Sequence, residues 1–355
     1  MISSACPQAS FWKNKRVLVT GHTGFKGSWL TQMLSQLGAQ VVGASLKPST
    51  VPNLFDLANI QSLCDSVICD IRELDKLQEL VHRANPEIVF HLAAQPLVRA
   101  SYAEPVQTFA TNVMGTVNVL SALTAAPNFH VGVFITTDKV YENREWHWPY
   151  REEDKLGGHD PYSASKAACE LAVASFRKSF FEQVGVAIAT ARAGNVIGGG
   201  DWSTDRLLPD AIRAWQAGDE LSIRNPSSIR PWQHVIEPLA GYLVLAEMLW
   251  ANPTSAGSWN FGPAPNEAIS VGKVIELARN AWGNAGVDYG NHLGPHEASR
   301  LALDTSKATE ILGLKPRWDV TEAVRRTVDW HRNLIDGQNA RDLCRADLKA
   351  WGLQP

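Results

Sequence analysis

The sequence predicts an α/β fold, a doubly wound parallel sheet with helices on both faces, followed by a smaller mixed C-terminal lobe. Three observations carry this reading. Short β-branched runs alternate with longer helical patterns through the first half of the chain. The runs are almost wholly apolar, as strands are when both faces of their sheet are covered. After about Gly198 the alternation weakens, and Gly, Pro, Trp and Arg become frequent.

The first strand is expected over Arg16 to Thr20, followed by a helix from Ser28 to Leu37. Gln40 to Ser45 reads as the second strand and Asp65 to Cys69 as the third. Glu87 to Leu92, Val131 to Thr136 and Val186 to Arg192 continue the series. Long helical patterns run from Pro105 to Ala125 and from Tyr162 to Phe181. Beyond Gly198, Leu239 to Trp250 and Val271 to Asn280 read as helices. The expected division is a nucleotide-binding domain over 11–198, to which 232–256 returns, a second lobe mainly over 199–335, and a polar tail over 336–355.

A chain of 355 residues can bury two sizeable cores. A formal net charge of −3 argues against broad nucleic-acid binding but leaves room for a local basic pocket. The five cysteines, Cys6, Cys64, Cys69, Cys169 and Cys344, are odd in number and lack C-x-x-C spacing. That argues against a disulfide framework or structural zinc and points to a reducing cytoplasm. His292 and His296 are four apart, but Gly294-Pro295 between them breaks any helix, so no metal is expected. No apolar run precedes Val17, so no signal peptide is expected. The longest apolar stretch, Leu239 to Trp250, falls short of the roughly 20 residues a membrane span needs. No membrane partner is expected.

The first motif is Gly21-His22-Thr23-Gly24-Phe25-Lys26-Gly27, directly after the first strand and opening the first helix. Glycines there permit a tight turn, close approach of a pyrophosphate and close strand–helix packing, and the helix N-terminus supplies amide donors. This strand–turn–helix context reads as a Rossmann-type dinucleotide loop. His22 and Lys26 are either solvated and inert or occupants of cofactor space. The second strand ends at Ser45-Leu46-Lys47, without the acid that often binds the adenosine ribose, and Lys47 could tolerate a 2′-phosphate. The loop alone therefore leaves NAD and NADP open. Asp70-Ile71, ending the third strand, is a plausible adenine contact.

The second motif is Tyr162-Ser163-Ala164-Ser165-Lys166, which sets a phenol and an ammonium four residues apart on one helix face. A cation beside a phenol favours the phenolate, so Tyr162 is expected to have a lowered pKa and to serve as base or acid. It lies one loop after Thr137-Asp138-Lys139.

Together with Leu92-Ala93-Ala94 and Asn112, these motifs stand in the order of the extended short-chain dehydrogenases/reductases, which the chain resembles from about Trp12 to Trp330. The Asp138-Lys139 pair is similar to the nucleotide-sugar 4,6-dehydratases of that family, and in particular to those acting on CDP-glucose. Gln95-Pro96-Leu97-Val98-Arg99, Arg192 through Trp202 and Arg230-Pro231-Trp232-Gln233-His234 share the resemblance. It implies NAD as cofactor, held by Gly21, Thr23, Gly24, Phe25, Lys26, Gly27, Asp70, Ile71, Leu92, Ala93, Ala94, Asn112, Tyr162 and Lys166. It implies a nucleotide-sugar substrate whose diphosphate Asn195 and Arg230 would grip, with Gln95, Arg206 and Leu207 also at the site; Arg300, where the resemblance is poor, is a further candidate on its charge alone. Catalysis would fall to Thr137, Asp138, Lys139, Tyr162 and Lys166. Tyr162 would take the C4 hydroxyl proton, and Asp138 would protonate the departing C6 hydroxyl. Lys139 would be either the C5 base or an electrostatic stabiliser of the enolate. The resemblance also implies a homodimer through the helices near Asn112 and Tyr162, and a place in deoxysugar supply for surface polysaccharide. The competing readings are a nucleotide-sugar epimerase, a dehydratase for a dTDP-, GDP- or UDP-sugar, and a non-catalytic NAD(P)-binding scaffold.

Overall fold

Six strands, β1 (Arg16–Thr20), β2 (Gln40–Ser45), β3 (Asp65–Ile68), β4 (Ile88–His91), β5 (Val131–Ile135) and β6 (Ala187–Ala193), run parallel in a computed structural model that describes residues 4–223, 225–264, 267–283, 285–290 and 301–354. Thr20 pairs with Ala44 of β2 on one side and His91 of β4 on the other. The strand order therefore reverses at β1, and a crevice opens beyond its carboxyl end.

Every residue of β4, β5 and β6 is buried, which is why these segments carry no polar alternation. Alternate residues of β1 feed the two faces: Val17 and Val19 join one apolar cluster and Leu18 the other. Helices Phe25–Gln36 and Ile236–Ala251 contribute Leu30, Leu34, Leu239 and Leu243 to the first cluster. Helices Leu74–Ala84, Gly115–Leu123 and Pro161–Phe176 contribute Leu77, Val119 and Val173 to the second. The last of these begins where Asp160 accepts a hydrogen bond from the Ser163 amide, with Pro161 in the first turn.

Beyond Ala193 the strands shorten to β7 (Asn195–Ile197), β8 (Leu221–Ser222), β9 (Ile229–Arg230) and β10 (Trp232–His234). Strand β11 (Gly257–Phe261) then returns to the large sheet and pairs with β6, so that the order is β11-β6-β5-β4-β1-β2-β3. The sequence reading did not foresee this strand. Short β12 (Ile269–Ser270) and β13 (Val287–Asp288) pair with β9 and β8. A third cluster, with Leu208, Trp215, Val274, Ile275, Val324 and Val328, joins helices Leu207–Ala217, Val271–Trp282 and Val320–Ile335.

Three expectations need correcting. The patterns read as Pro105 to Ala125 and Tyr162 to Phe181 each contain a π-helical turn, at Ala110–Met114 and Arg177–Phe181. The third strand stops at Ile68. The expected polar tail instead holds helix Ala340–Trp351, capped by Asn339, whose residues 340, 343, 344, 347, 348 and 351 are buried. That is the spacing of one helix face, and Cys344, Leu348 and Trp351 join the first cluster of the sheet. His292, His296 and Arg300 lie outside the described residues. No described helix is long and apolar enough to cross a membrane.

Candidate active site

A cleft of about 1000 Å³ lies over the carboxyl ends of the parallel strands. Its floor is the turn after β1. Gly21 has φ +80, and a Cβ there would sit 2.7 Å from the Ala93 amide nitrogen. A Cβ on Gly27 would strike the Gly21 carbonyl oxygen. Gly24 then opens helix Phe25–Gln36 with no side-chain cap, and its exposed backbone faces the cleft. A bare, positively polarised helix start beside closely packed glycines fits a pyrophosphate. Thr23, Phe25, Lys26, Asp70, Ile71, Leu92, Ala93 and Ala94 line the same cleft.

The two unusual residues of the loop part company. His22 is fully buried behind it, its Nε2 2.7 Å from Ser66 Oγ and its ring edge-on to Phe55. Burial brings its pKa down to about 4, so it is a neutral core histidine. Lys26 does line the cleft. Burial, then the charges of Arg206 and Lys166, bring its pKa down to about 7. At the ends of β2 and β3, Ser45 and Thr23 share a 2.8 Å hydrogen bond, and Arg72 holds Asp70 through Nε and Nη2 at 3.0 and 2.6 Å. Those bonds keep the Asp70 carboxyl ionised and below its usual pKa.

At the end of β5, Thr137 opens the 3₁₀ turn Asp138–Val140 by accepting a hydrogen bond from the Lys139 amide at 3.4 Å. The Thr137 hydroxyl donates to Asp138 Oδ1 at 2.9 Å, and Lys139 Nζ lies 3.4 Å from the same oxygen. Asp138 is 1% exposed, and its Oδ2 is buried with no hydrogen-bond partner among the described residues. Tyr162 and Lys166 reach the cleft from helix Pro161–Phe176.

The expected lowering of the Tyr162 pKa by Lys166 does not hold. The Lys166 ammonium donates to the Ile135 carbonyl at 2.9 Å. Burial dominates at Tyr162 and pushes its pKa up to about 12, against a hydrogen bond with Thr137 and the charge of Arg206. Gln95 and Asn112, also expected at the site, are not among the residues lining the cleft. The Gln95 side chain bonds Leu97 and Thr108, and Asn112 bonds the Gln95 backbone and Ser165 Oγ. Short amide side chains that satisfy backbone groups here lock the loop after β4 to the catalytic helix.

The opposite wall carries Asn195, Arg206, Leu207 and Arg230. Arg206 lies 3.3 Å from Asp201, and Arg230 Nη1 donates to the Ile229 carbonyl at 2.9 Å. Arg99, which the sequence reading quoted but did not assign, crosses the cleft mouth to Asp205 at 2.7 Å. Only its place after Leu92-Ala93-Ala94 hinted at this.

The family model for GDP-mannose 4,6 dehydratase matches residues 18–327. The chain is 50% identical over 339 residues to a CDP-glucose 4,6-dehydratase from Salmonella typhimurium, covering 93% of this chain and 94% of that protein. It is 27% identical over 348 residues to a dTDP-glucose 4,6-dehydratase from Streptomyces antibioticus, covering 89% and 92%. Among solved structures, a UDP-glucose 4-epimerase from Thermus thermophilus in complex with NAD superimposes at TM-score 0.78, with 24% identity and coverage of 89% and 98%. A dTDP-glucose 4,6-dehydratase from Streptomyces venezuelae with NAD bound gives 0.74 at 22% identity, covering 89% and 97%. At those identities the structures speak for the fold, whereas the family match spans both walls of the cleft and the Thr137–Lys139 turn. The chain belongs to the GDP-mannose 4,6 dehydratase family of extended short-chain dehydrogenases/reductases.

Proposed function

We propose that this protein is an NAD-dependent CDP-glucose 4,6-dehydratase, converting CDP-D-glucose to CDP-4-dehydro-6-deoxy-D-glucose with loss of water. The observation that carries the reading is the placement of Asp138 and Lys139 in the same cleft as Tyr162, an acid–base pair that an epimerase does not need. The half-identity with the Salmonella typhimurium relative supports CDP-glucose over other nucleotide sugars.

When bound, NAD would supply the hydride acceptor for oxidation at C4 and the hydride donor for reduction at C6. The glycine loop and the open start of helix Phe25–Gln36 suit its pyrophosphate. Tyr162 takes the C4 hydroxyl proton, with Thr137 orienting that hydroxyl. The resulting ketone acidifies C5–H. Asp138 and Lys139 then act as a unit. Passing one proton across the 3.4 Å contact leaves Lys139 able to take the C5 proton and Asp138 able to protonate the leaving C6 hydroxyl. If the pair stays ionised, Lys139 instead stabilises the enolate. Arg206, Arg230 and Asn195 suit the substrate diphosphate.

The reading includes a cytoplasmic homodimer. Val106, Met114, Leu171, Phe180 and Val184 are exposed apolar residues on and after the helices near Asn112 and Tyr162, which supports pairing through that face. Light scattering on the purified protein tests it. The activity is tested by incubation with CDP-, dTDP-, UDP- and GDP-glucose and catalytic NAD. A 4-keto-6-deoxy product from CDP-glucose, without NADH accumulation, is expected. Stoichiometric NADH would mean a simple dehydrogenase.

A further inference from the structure

Behind the Thr137–Lys139 turn lies a polar cluster that takes no part in the chemistry just proposed. Glu170, one helical turn beyond Lys166, is 3% exposed and pairs at 2.8 Å with Arg192 of β6, itself 2% exposed. Glu170 also accepts from Thr136 Oγ1 at 2.5 Å and Thr190 Oγ1 at 2.7 Å. Arg192 Nη1 donates to the Tyr141 hydroxyl at 2.8 Å and to the Glu152 carbonyl at 2.9 Å. The Tyr141 hydroxyl in turn donates to Asn260 Oδ1 of β11 at 2.7 Å. Tyr141 is 1% exposed, and its ring stacks on Tyr150 at 5.1 Å and 16°.

Burying two charges costs several kcal/mol each, and a well-packed apolar pair is often as stable, so this arrangement is poorly explained as a source of stability. What a buried polar cluster does supply, here with only Arg192 Nε lacking a partner among the described residues, is orientation. The attachment points show which part is oriented. Thr136 immediately precedes Thr137, and Tyr141 immediately follows the turn Asp138–Val140. The turn is thus tied at both ends to one ion pair. Its own closing bond, Val140 N to the Thr137 carbonyl, is long at 3.4 Å. Tyr162 stands on the helix that bears Glu170 and hydrogen-bonds Thr137 at the strand end of the turn, away from the end that Tyr141 holds.

We propose that Tyr141 is a positioning residue for the elimination step. Held between Arg192 and Asn260, its hydroxyl sets the turn so that Asp138 and Lys139 meet C6 and C5, while the oxidation run by Tyr162 does not depend on it. This rests on the dehydratase reading.

The test is single turnover of CDP-glucose by the NAD-loaded enzyme, following nicotinamide absorbance, with KM and thermal unfolding measured on the same samples. Tyr141→Phe keeps the ring and removes the hydroxyl. The absorbance should rise at the wild-type rate and then decay about tenfold more slowly, with KM and the unfolding midpoint little changed. Thr190→Val removes another bond to Glu170 but touches no part of the turn, so its rise and decay should match wild type. Equal slowing of rise and decay in Tyr141→Phe, wild-type decay in it, or the same slow decay in Thr190→Val, would each overturn the proposal. Absence of a 4-keto-6-deoxy product from the wild-type enzyme would overturn the dehydratase reading and the proposal with it. Product from wild type with unaltered partition in Tyr141→Phe overturns the proposal alone.

Discussion

The two walls of the cleft meet one substrate with different architecture. The cofactor wall grows from strands of five to seven residues, β1, β5 and β6, in a sheet covered on both faces. The opposite wall is assembled from β7, β8 and β9, of two or three residues each, and from the start of one helix. Every residue expected to move a proton sits on the first wall or in the turn continuous with it, and the second wall offers cations and an amide. Bond-making tolerates errors of a fraction of an ångström, whereas holding a diphosphate tolerates more, because charge attraction falls slowly with distance. The comparison predicts that the first wall governs kcat and the second KM.

The largest effect should come from Tyr162→Phe. On the proposed mechanism Tyr162 takes the C4 proton, and its loss should lower kcat about a thousandfold, with no nicotinamide reduction in a single turnover. Appreciable reduction would show that another base serves the oxidation. Next are Asp138→Asn and Lys139→Met, each expected to lower kcat about a hundredfold and to stall with reduced nicotinamide visible by absorbance. Wild-type elimination in both would remove the basis for the dehydratase assignment. Arg230→Ala should act on the other wall, raising KM roughly tenfold with kcat within a factor of about three, since one charged hydrogen bond is worth about 1.5–3 kcal/mol. A kcat loss as large as that of Asp138→Asn would break the division of labour.

The smallest effect is expected outside both walls. Glu247 accepts from Gln8 N and Trp12 Nε1 at 2.8 and 2.6 Å, yet burial pushes its pKa up to about 7. A carboxyl whose folded pKa is raised binds a proton that the unfolded chain gives up. Its contribution to stability is therefore full below the unfolded value, falls as pH rises toward about 7, and levels off above. Glu247→Gln should flatten that slope in thermal unfolding and raise Tm at pH 8 by about 1–3 °C. An unchanged slope would show that Glu247 is ionised throughout.

What the sequence made legible follows the same division. The first wall is local: a glycine loop after a strand, a turn after β5 and a helix with a four-residue spacing are all read within a dozen residues. Features built by distant partners were not legible. Strand β11 is recognised by pairing with β6 and not by any alternation in Gly-Ser-Trp-Asn-Phe. The bonds of Asn112 to the Gln95 backbone and Ser165, and of the Gln95 amide to Leu97 and Thr108, are contacts no spacing rule reveals. The Tyr162 pKa failed for a related reason, since burial is a property of the packed whole. By contrast, helix Ala340–Trp351 was readable from its apolar spacing and was passed over. Arg192 offered a signal as well, being the lone charge in a strand that is otherwise buried alanine, isoleucine and threonine.

The pairing of β6 with β11 also has a consequence for how the chain is made. Synthesis runs at about 5–20 residues per second, so the outer edge of β6 leaves the ribosome seconds before the strand that will cover it. During that interval the nascent sheet ends in a bare apolar strand, the kind of edge that recruits strands from neighbouring chains. Arg192 lies on that strand, paired in register with Asn260 of β11. A charged residue within that strand disfavours such pairing until β11 covers the edge.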